Sequence, residues 1–203
     1  MPNFERMTKV DIESILDDVF ALYAEHGSAD YIGEPVSQIE HMSQAAELAM
    51  EQGWDDEVVV AAFFHDIGHL CVHRTTDNDL HGLGTVSHEK VGADYLREKG
   101  FPERVALLVE NHVQAKRYLT ARFPEYYNKL SAASKKTLEY QGGKMTEDEA
   151  NRFERDPLFK EYVQMRKWDE EAKETERALL PMNVVRDRAR RVLFHSMLGE
   201  LPL

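Results

Sequence analysis

The stretch from Asp55 to Cys71, DDEVVVAAFFHDIGHLC, constrains the fold more than any other part of the chain. Val58 to Phe64 carry no polar side chain. A helix there has no face for water, so it must lie at the centre of a core built from several other elements. His65, Asp66 and His69 follow at once, and polar groups buried with such a helix need partners. At a spacing of four, His65 and His69 are predicted to leave one helix face a turn apart. Asp66 is offset by one position, and its two oxygens could bridge two cations. The isolated motif also fits a hydrogen-bonded core pair, so the remaining histidines have to decide.

The rest of the pattern is helical. Thr8 and Asp11 resemble a capping box ahead of Ile12, Ile15, Leu16, Val19, Phe20 and Tyr23, with a stop at Gly27. Asp30 to Pro35 is a turn-rich loop, and Ser37 with Glu40 caps a second helix ending near Gly53. Asp55 or Asp56 starts the apolar helix through Cys71. Residues 73–86 form a polar loop, Ser87 opens a helix to about Lys99, and Pro102 precedes one that runs through His112. Further helices are predicted over 131–140, 146–155, 157–179 and 183–198. No strand alternation or internal repeat appears. The expected fold is all-α, one helical bundle over residues 1–203. Its site falls within about 30–173 and residues 174–203 form a C-terminal helical segment.

With 203 residues the chain is long enough for one sizeable core. The formal charge of -12 argues against broad nucleic-acid or anionic-membrane binding, yet a pocket with metal cations and a few basic groups can be locally positive. No apolar run nears 18 residues and the first twenty do not read as a signal peptide. Cys71 is the single cysteine, which fits a reducing cytoplasm, the expected location. The expected partner is a small molecule, with no nucleic acid or membrane, and a monomer or small homo-oligomer.

His41 sits among apolar positions of QIEHMSQAAELA, His88 in the first turn of SHEKVGADYL, and His112 late in LLVENHVQAKRYL. Each alone reads as an ordinary buried histidine. Together, on separate helices around His65-Asp66, they read as a metal site. Imidazole with carboxylate and no thiolate suits iron, manganese, zinc or nickel, and a bridging carboxylate suits a dinuclear site. His26, His73, His81 and His195 are expected in surface or local roles. Asp169, in MRKWDEEAK, reads from spacing alone as a solvated acid.

Beyond these ligand candidates, DYIGE, NHVQAKRYL, SAASKKTLEYQGG, FERDP and RKWDEEAK lie outside any metal requirement. With them, the chain from about Asp30 to Lys173 resembles the HD-domain mixed-valent diiron oxygenases that cleave carbon–phosphorus bonds of 1-hydroxyalkylphosphonates. The resemblance implies two iron ions, Fe(II)/Fe(III), with O2 as co-substrate. It implies ligands His41, His65, Asp66, His88, His112 and Asp169, with Asp66 bridging. It moves His69 to the substrate phosphonate, beside Lys116, Ser134, Thr137 and Arg166. Tyr31 becomes a displaceable group at an iron, acting with Asp66 in catalysis, and Glu34 lies near the substrate amine. The implied reaction converts 2-amino-1-hydroxyethylphosphonate, or its N-trimethyl form, to phosphate and glycine or glycine betaine.

Two other functions stay open: an HD-type metal-dependent phosphohydrolase acting on a nucleotide or phosphomonoester, and a non-catalytic metal-binding regulator. The residues do not separate a free from a methylated amine. Phe63, Phe64, Tyr126 and Tyr127 are aromatic candidates for a quaternary group, with nothing to place them. The amphipathic VVRDRARRVLFHSML is expected to cover the core, the alternative being a second subunit.

Overall fold

The computed structural model describes residues 2–31, 33–71 and 87–199, with side chains from residue 11 onward. Among them the chain is all-α, as expected: ten α-helices and one 3₁₀ turn, with a lone β-bridge between Asp30 and Ser37. They are α1 (Pro2–His26), α2 (Gln38–Glu51), α3 (Asp56–Phe64), the 3₁₀ turn Ile67–His69, α4 (His88–Glu98), α5 (Glu103–Arg122), α6 (Pro124–Lys129), α7 (Ala132–Tyr140), α8 (Glu147–Phe153), α9 (Phe159–Glu171) and α10 (Met182–Gly199). No described helix is long and apolar enough to cross a membrane. The predicted 73–86 loop, with His73 and His81, lies outside the described residues.

The apolar helix α3 is the hub. Val58 to Phe64 are all buried, and α2, α5, α9 and α10 pack around them. Tyr23 from α1 adds its ring to Phe63, and Phe101 meets Phe64 edge-on. The C-terminal α10 lies on α1 and α3 through Val185, Ala189, Val192 and Leu193, which are buried.

The expectation of one helix through Cys71 is corrected here. The α-helix stops at Phe64. The Ala62 carbonyl accepts from His65 Nδ1 (2.8 Å) and the Phe63 carbonyl from the Tyr23 hydroxyl (3.2 Å), so both of these last-turn acceptors bond to side chains. The chain then tightens: the His69 amide bonds to the Asp66 carbonyl and Leu70 to Ile67, three residues back. His65 and Asp66 therefore occupy a helix end, and His69 leaves in a different direction from His65.

Other boundaries also move. α1 begins at Pro2, so Thr8 lies inside a continuing helix and cannot be its cap. The Ser37/Glu40 capping box is present, and Asp55 caps α3. Ser87 precedes α4 in the left-handed region (φ 55°, ψ 37°) and makes no side-chain cap. The short α6, with Pro124 at its start, was hidden in PEYYNK by its length. The predicted 157–179 helix ends at Glu171. There the Ala172 carbonyl accepts from His41 Nδ1, and the Gln44 amide clasps the backbone N–H and C=O of Glu174. These tertiary bonds overrule the helical propensity of the residues that follow.

Gly68 shows how tightly the turn is seated. A Cβ at Gly68 would run into the His88 carbonyl oxygen at the start of α4. Gly68→Ala is expected to lower Tm by roughly 2–12 °C, from about 1–3 kcal/mol of overpacking at about 2–4 °C per kcal/mol for a chain of this size. Calorimetry showing an unchanged Tm would contradict this packing.

Candidate metal centre

Four helices and the end of α3 each bring a donor to one interior point. His41 comes from α2, His65 and Asp66 from the end of α3, His88 from the start of α4, His112 from α5 and Asp169 from α9. Their exposures run from 0% to 6%. Asp169, which spacing alone made a solvated acid, is 2% exposed because Met165 and Trp168 turn its face of α9 inward.

Asp66 stands between two histidine pairs. Its Oδ2 lies 3.5 Å from His41 Nε2 and 3.4 Å from His65 Nε2. Its Oδ1 lies 3.1 Å from His88 Nε2 and 3.5 Å from His112 Nε2. Asp169 Oδ1 joins the first pair, 3.3 Å from His41 and 3.9 Å from His65. One side thus gathers four donors, the other three.

The tautomers say what these groups could hold. Nδ1 of His41, His65 and His112 lies 2.9, 2.8 and 2.7 Å from the carbonyl oxygens of Ala172, Ala62 and Val109. A carbonyl only accepts, so Nδ1 carries the proton and the neutral ring has its lone pair on Nε2. Yet His41 Nε2 faces His65 Nε2 at 3.0 Å, and His88 Nε2 faces His112 Nε2 at 3.2 Å. Two lone pairs do not attract, so a cation belongs between His41 and His65. Asp66 Oδ2 is buried without a hydrogen-bond partner, the mark of an acceptor awaiting one. Donors about 2.0–2.2 Å from a shared ion stand roughly 3.0–3.5 Å apart, close to the separations seen on both sides of Asp66. The residues fit two metal ions.

Without metal, protons take up part of that role. Burial opposes a charge on His41, but Asp169 and Asp66 outweigh it and raise its pKa to about 9. Burial would raise the carboxyl of Asp66, but the charge of His65 and contacts from His112 and His41 hold it well below the usual range. Asp169 behaves likewise through Arg166 and His41.

A pocket opens mainly on the three-donor side, touching Asp66, His88 and His112 and, of the other side, Asp169 but not His41 or His65. Each residue predicted for the substrate lines it: Tyr31, Glu34, His69, Lys116, Ser134, Thr137 and Arg166. Lys116, 2% exposed, donates to Thr137 Oγ1 (2.8 Å) and Gln141 Oε1 (3.0 Å). Burial, then the Arg166 charge, lowers its pKa to about 6. Arg166 is braced by the Tyr126 hydroxyl (2.8 Å), Asp169 and Ser134 Oγ (3.1 Å). The Tyr31 ring stacks on His41 at 4.0 Å, and burial, then the Asp66 charge, pushes its phenol well above the usual range. His69 stacks on His88 at 4.0 Å, and it also lies close enough to Asp66 and His88 to share an ion with them. Gly33, at φ 80°, approaches Ala133 of α7 closely, and a Cβ there would meet the Ala133 methyl at 2.6 Å.

Sequence reasoning missed Gln141, Lys173 and Ser131, and it offered Tyr126 only as an aromatic wall, not as the hydroxyl that holds Arg166. Lys173 stood in RKWDEEAK one turn beyond Asp169, and Tyr126 in the unrecognised α6. Of the other aromatic candidates, Phe63 and Phe64 are in the core and Tyr127 is exposed.

The HD domain family profile matches residues 39–157, more than half of the chain. The chain belongs to the HD-domain family. The matched span holds His41, His65, Asp66, His88 and His112, but stops short of Arg166 and Asp169. Relatives extend further. An uncharacterized protein of Acanthamoeba polyphaga mimivirus is 41% identical over 87% of this chain and 82% of its own. The [1-hydroxy-2-(trimethylamino)ethyl]phosphonate dioxygenase (glycine-betaine-forming) of Leisingera caerulea is 37% identical over 82% of this chain and 84% of its own. The hydroxymethylphosphonate dioxygenase of Gimesia maris is 39% identical over 76% of each. This HD-domain chain therefore groups with proteins named as phosphonate dioxygenases.

Bound metal tests the geometry directly. The parent is expected to hold about two equivalents. Asp169→Ala, on the four-donor side, and His88→Ala, on the other, should each lower iron content, measured by mass spectrometry of iron-loaded protein. Full occupancy in both variants would contradict the two-cluster arrangement.

Proposed function

We propose that this protein cleaves the carbon–phosphorus bond of a 1-hydroxyalkylphosphonate with O2. The observation that carries the reading is one buried pocket in which Lys116, Arg166, Ser134 and Thr137 gather beside the three-donor side of the metal centre. Two cations and two hydroxyls suit a phosphonate, whose three oxygens accept charge-assisted hydrogen bonds. The names of the Leisingera and Gimesia relatives support the same chemistry.

His41, His65, Asp66 and Asp169 would hold one iron, and Asp66, His88 and His112 the other, with Asp66 bridging. An Fe(II)/Fe(III) pair there would supply the O2 activation and one-electron chemistry that hydrolysis does not require. The reaction needs no outside reductant: RCH(OH)PO3H2 and O2 give RCOOH and H3PO4, atom for atom. The C1–H and C–P bonds break, carbon is oxidised and O2 is reduced. The 2-amino substrate would give glycine, its N-trimethyl form glycine betaine and hydroxymethylphosphonate formate, each with phosphate.

The protein's part is orientation and charge. Lys116 spends two of its three donors on Thr137 and Gln141, leaving one for a ligand. A bound phosphonate supplies the counter-charge that buried Lys116 lacks. Arg166, held by Tyr126, keeps a fixed plane against the phosphonate. His69, stacked on His88 in the pocket lining, would meet the substrate phosphonate, the role the family resemblance implies for it. Tyr31, stacked on His41, would give way when the C1 hydroxyl arrives.

Iron-loaded protein should release phosphate from a 1-hydroxyalkylphosphonate in air and not under nitrogen; release persisting without O2 would instead assign a phosphohydrolase. Lys116→Ala should keep its iron and raise KM by roughly ten- to a hundredfold, from about 1.5–3 kcal/mol for a hydrogen bond to a charged group. An unchanged KM would remove Lys116 from the phosphonate site.

A further inference from the structure

Two charge groups line the pocket. One is Lys116 and Arg166 with their hydroxyl partners. The other is Glu34, whose charge is already matched. Glu34 Oε1 accepts from Lys173 Nζ at 2.9 Å and from Ser131 Oγ at 2.7 Å. Lys173 reaches it from just beyond α9, and both side chains are mostly buried, at 17% and 11% exposure. Both line the pocket.

A primary ammonium bonding to Glu34 would stand beside Lys173, whose other carboxylate, Glu170, lies 3.8 Å away. Two cations sharing one mostly buried acid repel each other at close range. A quaternary ammonium would need aromatic walls instead. Apart from histidines, Tyr31 is the one aromatic ring among the described lining residues, and it is stacked on His41. A hydroxyl asks for less: both existing bonds to Glu34 fall on Oε1, and a neutral donor can bond to the carboxylate without displacing the lysine.

We propose that the part of the pocket lined by Glu34 is built for an uncharged substituent, hydrogen or hydroxyl, and that Lys173 is the residue that sets the preference. The inference rests on the phosphonate reading above and narrows its substrate. Lys173 acts here through Glu34, as a specificity-determining and positioning residue.

The test compares phosphate release by the iron-loaded protein, in air, from hydroxymethylphosphonate, 1,2-dihydroxyethylphosphonate and 2-amino-1-hydroxyethylphosphonate. The last two differ by a hydroxyl in place of an ammonium. The neutral pair should be favoured in kcat/KM by at least about tenfold, the scale of a like-charge penalty. Lys173→Gln should move the diol-to-amine ratio toward the amine by at least about tenfold, while Lys173→Arg keeps the parent ratio. Glu34→Gln, which removes the acid and leaves the lysine, should move it the other way, so the proposal does not depend on one variant folding. Equal or better use of the amine by the parent would overturn the inference and leave the phosphonate reading intact. So would an unchanged ratio in folded Lys173→Gln. Phosphate from none of the three would overturn both.

Discussion

The structure turns on one carboxylate set between two pairs of imidazoles. Asp66 offers each oxygen to a different pair, and the backbone carbonyls behind His41, His65 and His112 fix the protons on Nδ1. The inward-facing nitrogens are therefore acceptors, and acceptors crowded at 3.0 Å need a cation. A metal ion, or in its absence a proton on His41, offsets the cost of burying so many polar groups in an apolar core. Much of the fold can be read as the scaffold for this arrangement.

The scaffold works largely through helix ends. α3 stops at Phe64 so that His65 and Asp66 lie at its exit, α4 begins at His88, and the chain beyond α9 gives its Ala172 carbonyl to His41. Backbone groups without partners in their own helix serve as hydrogen-bond anchors for the site. The same break beyond α9 carries Lys173 back to Glu34. The end of one helix thus helps orient a donor of the metal centre and balances the charge of Glu34 in the pocket lining.

The pocket's cations make sense beside this centre. Lys116 and Arg166 lie on helices in an acidic protein, and by position each could have been an ordinary solvated charge. Burial, with Arg166 close by, pushes Lys116 down to about 6, and a bound anion would restore its charge. Arg166 is locked by Asp169, so the group that steadies one side of the metal centre also fixes the arginine. The metal centre and the proposed phosphonate site share that aspartate.

Much of this was legible in the residues. The apolar run of α3, the Ser37 and Asp55 caps and the inward histidines follow from periodicity and capping chemistry, which are local. The all-α fold and the gathering of His41, His65, His88 and His112 around Asp66 needed no more than that, with the motif resemblance pointing to Asp169, Lys116 and Arg166. The direction of His69 was not legible, because the Tyr23 hydroxyl, 40 positions away, and the neighbouring His65 ring occupy the carbonyls that would have continued the helix. Nor were the ends of α9 and the pairing of Glu34 with Lys173, 139 positions apart. By itself the sequence determined which side chains are apolar, which can ligate and which helices carry them. Only the tertiary structure decided where those helices break and which charges meet, because both depend on hydrogen bonds between residues that no local pattern connects.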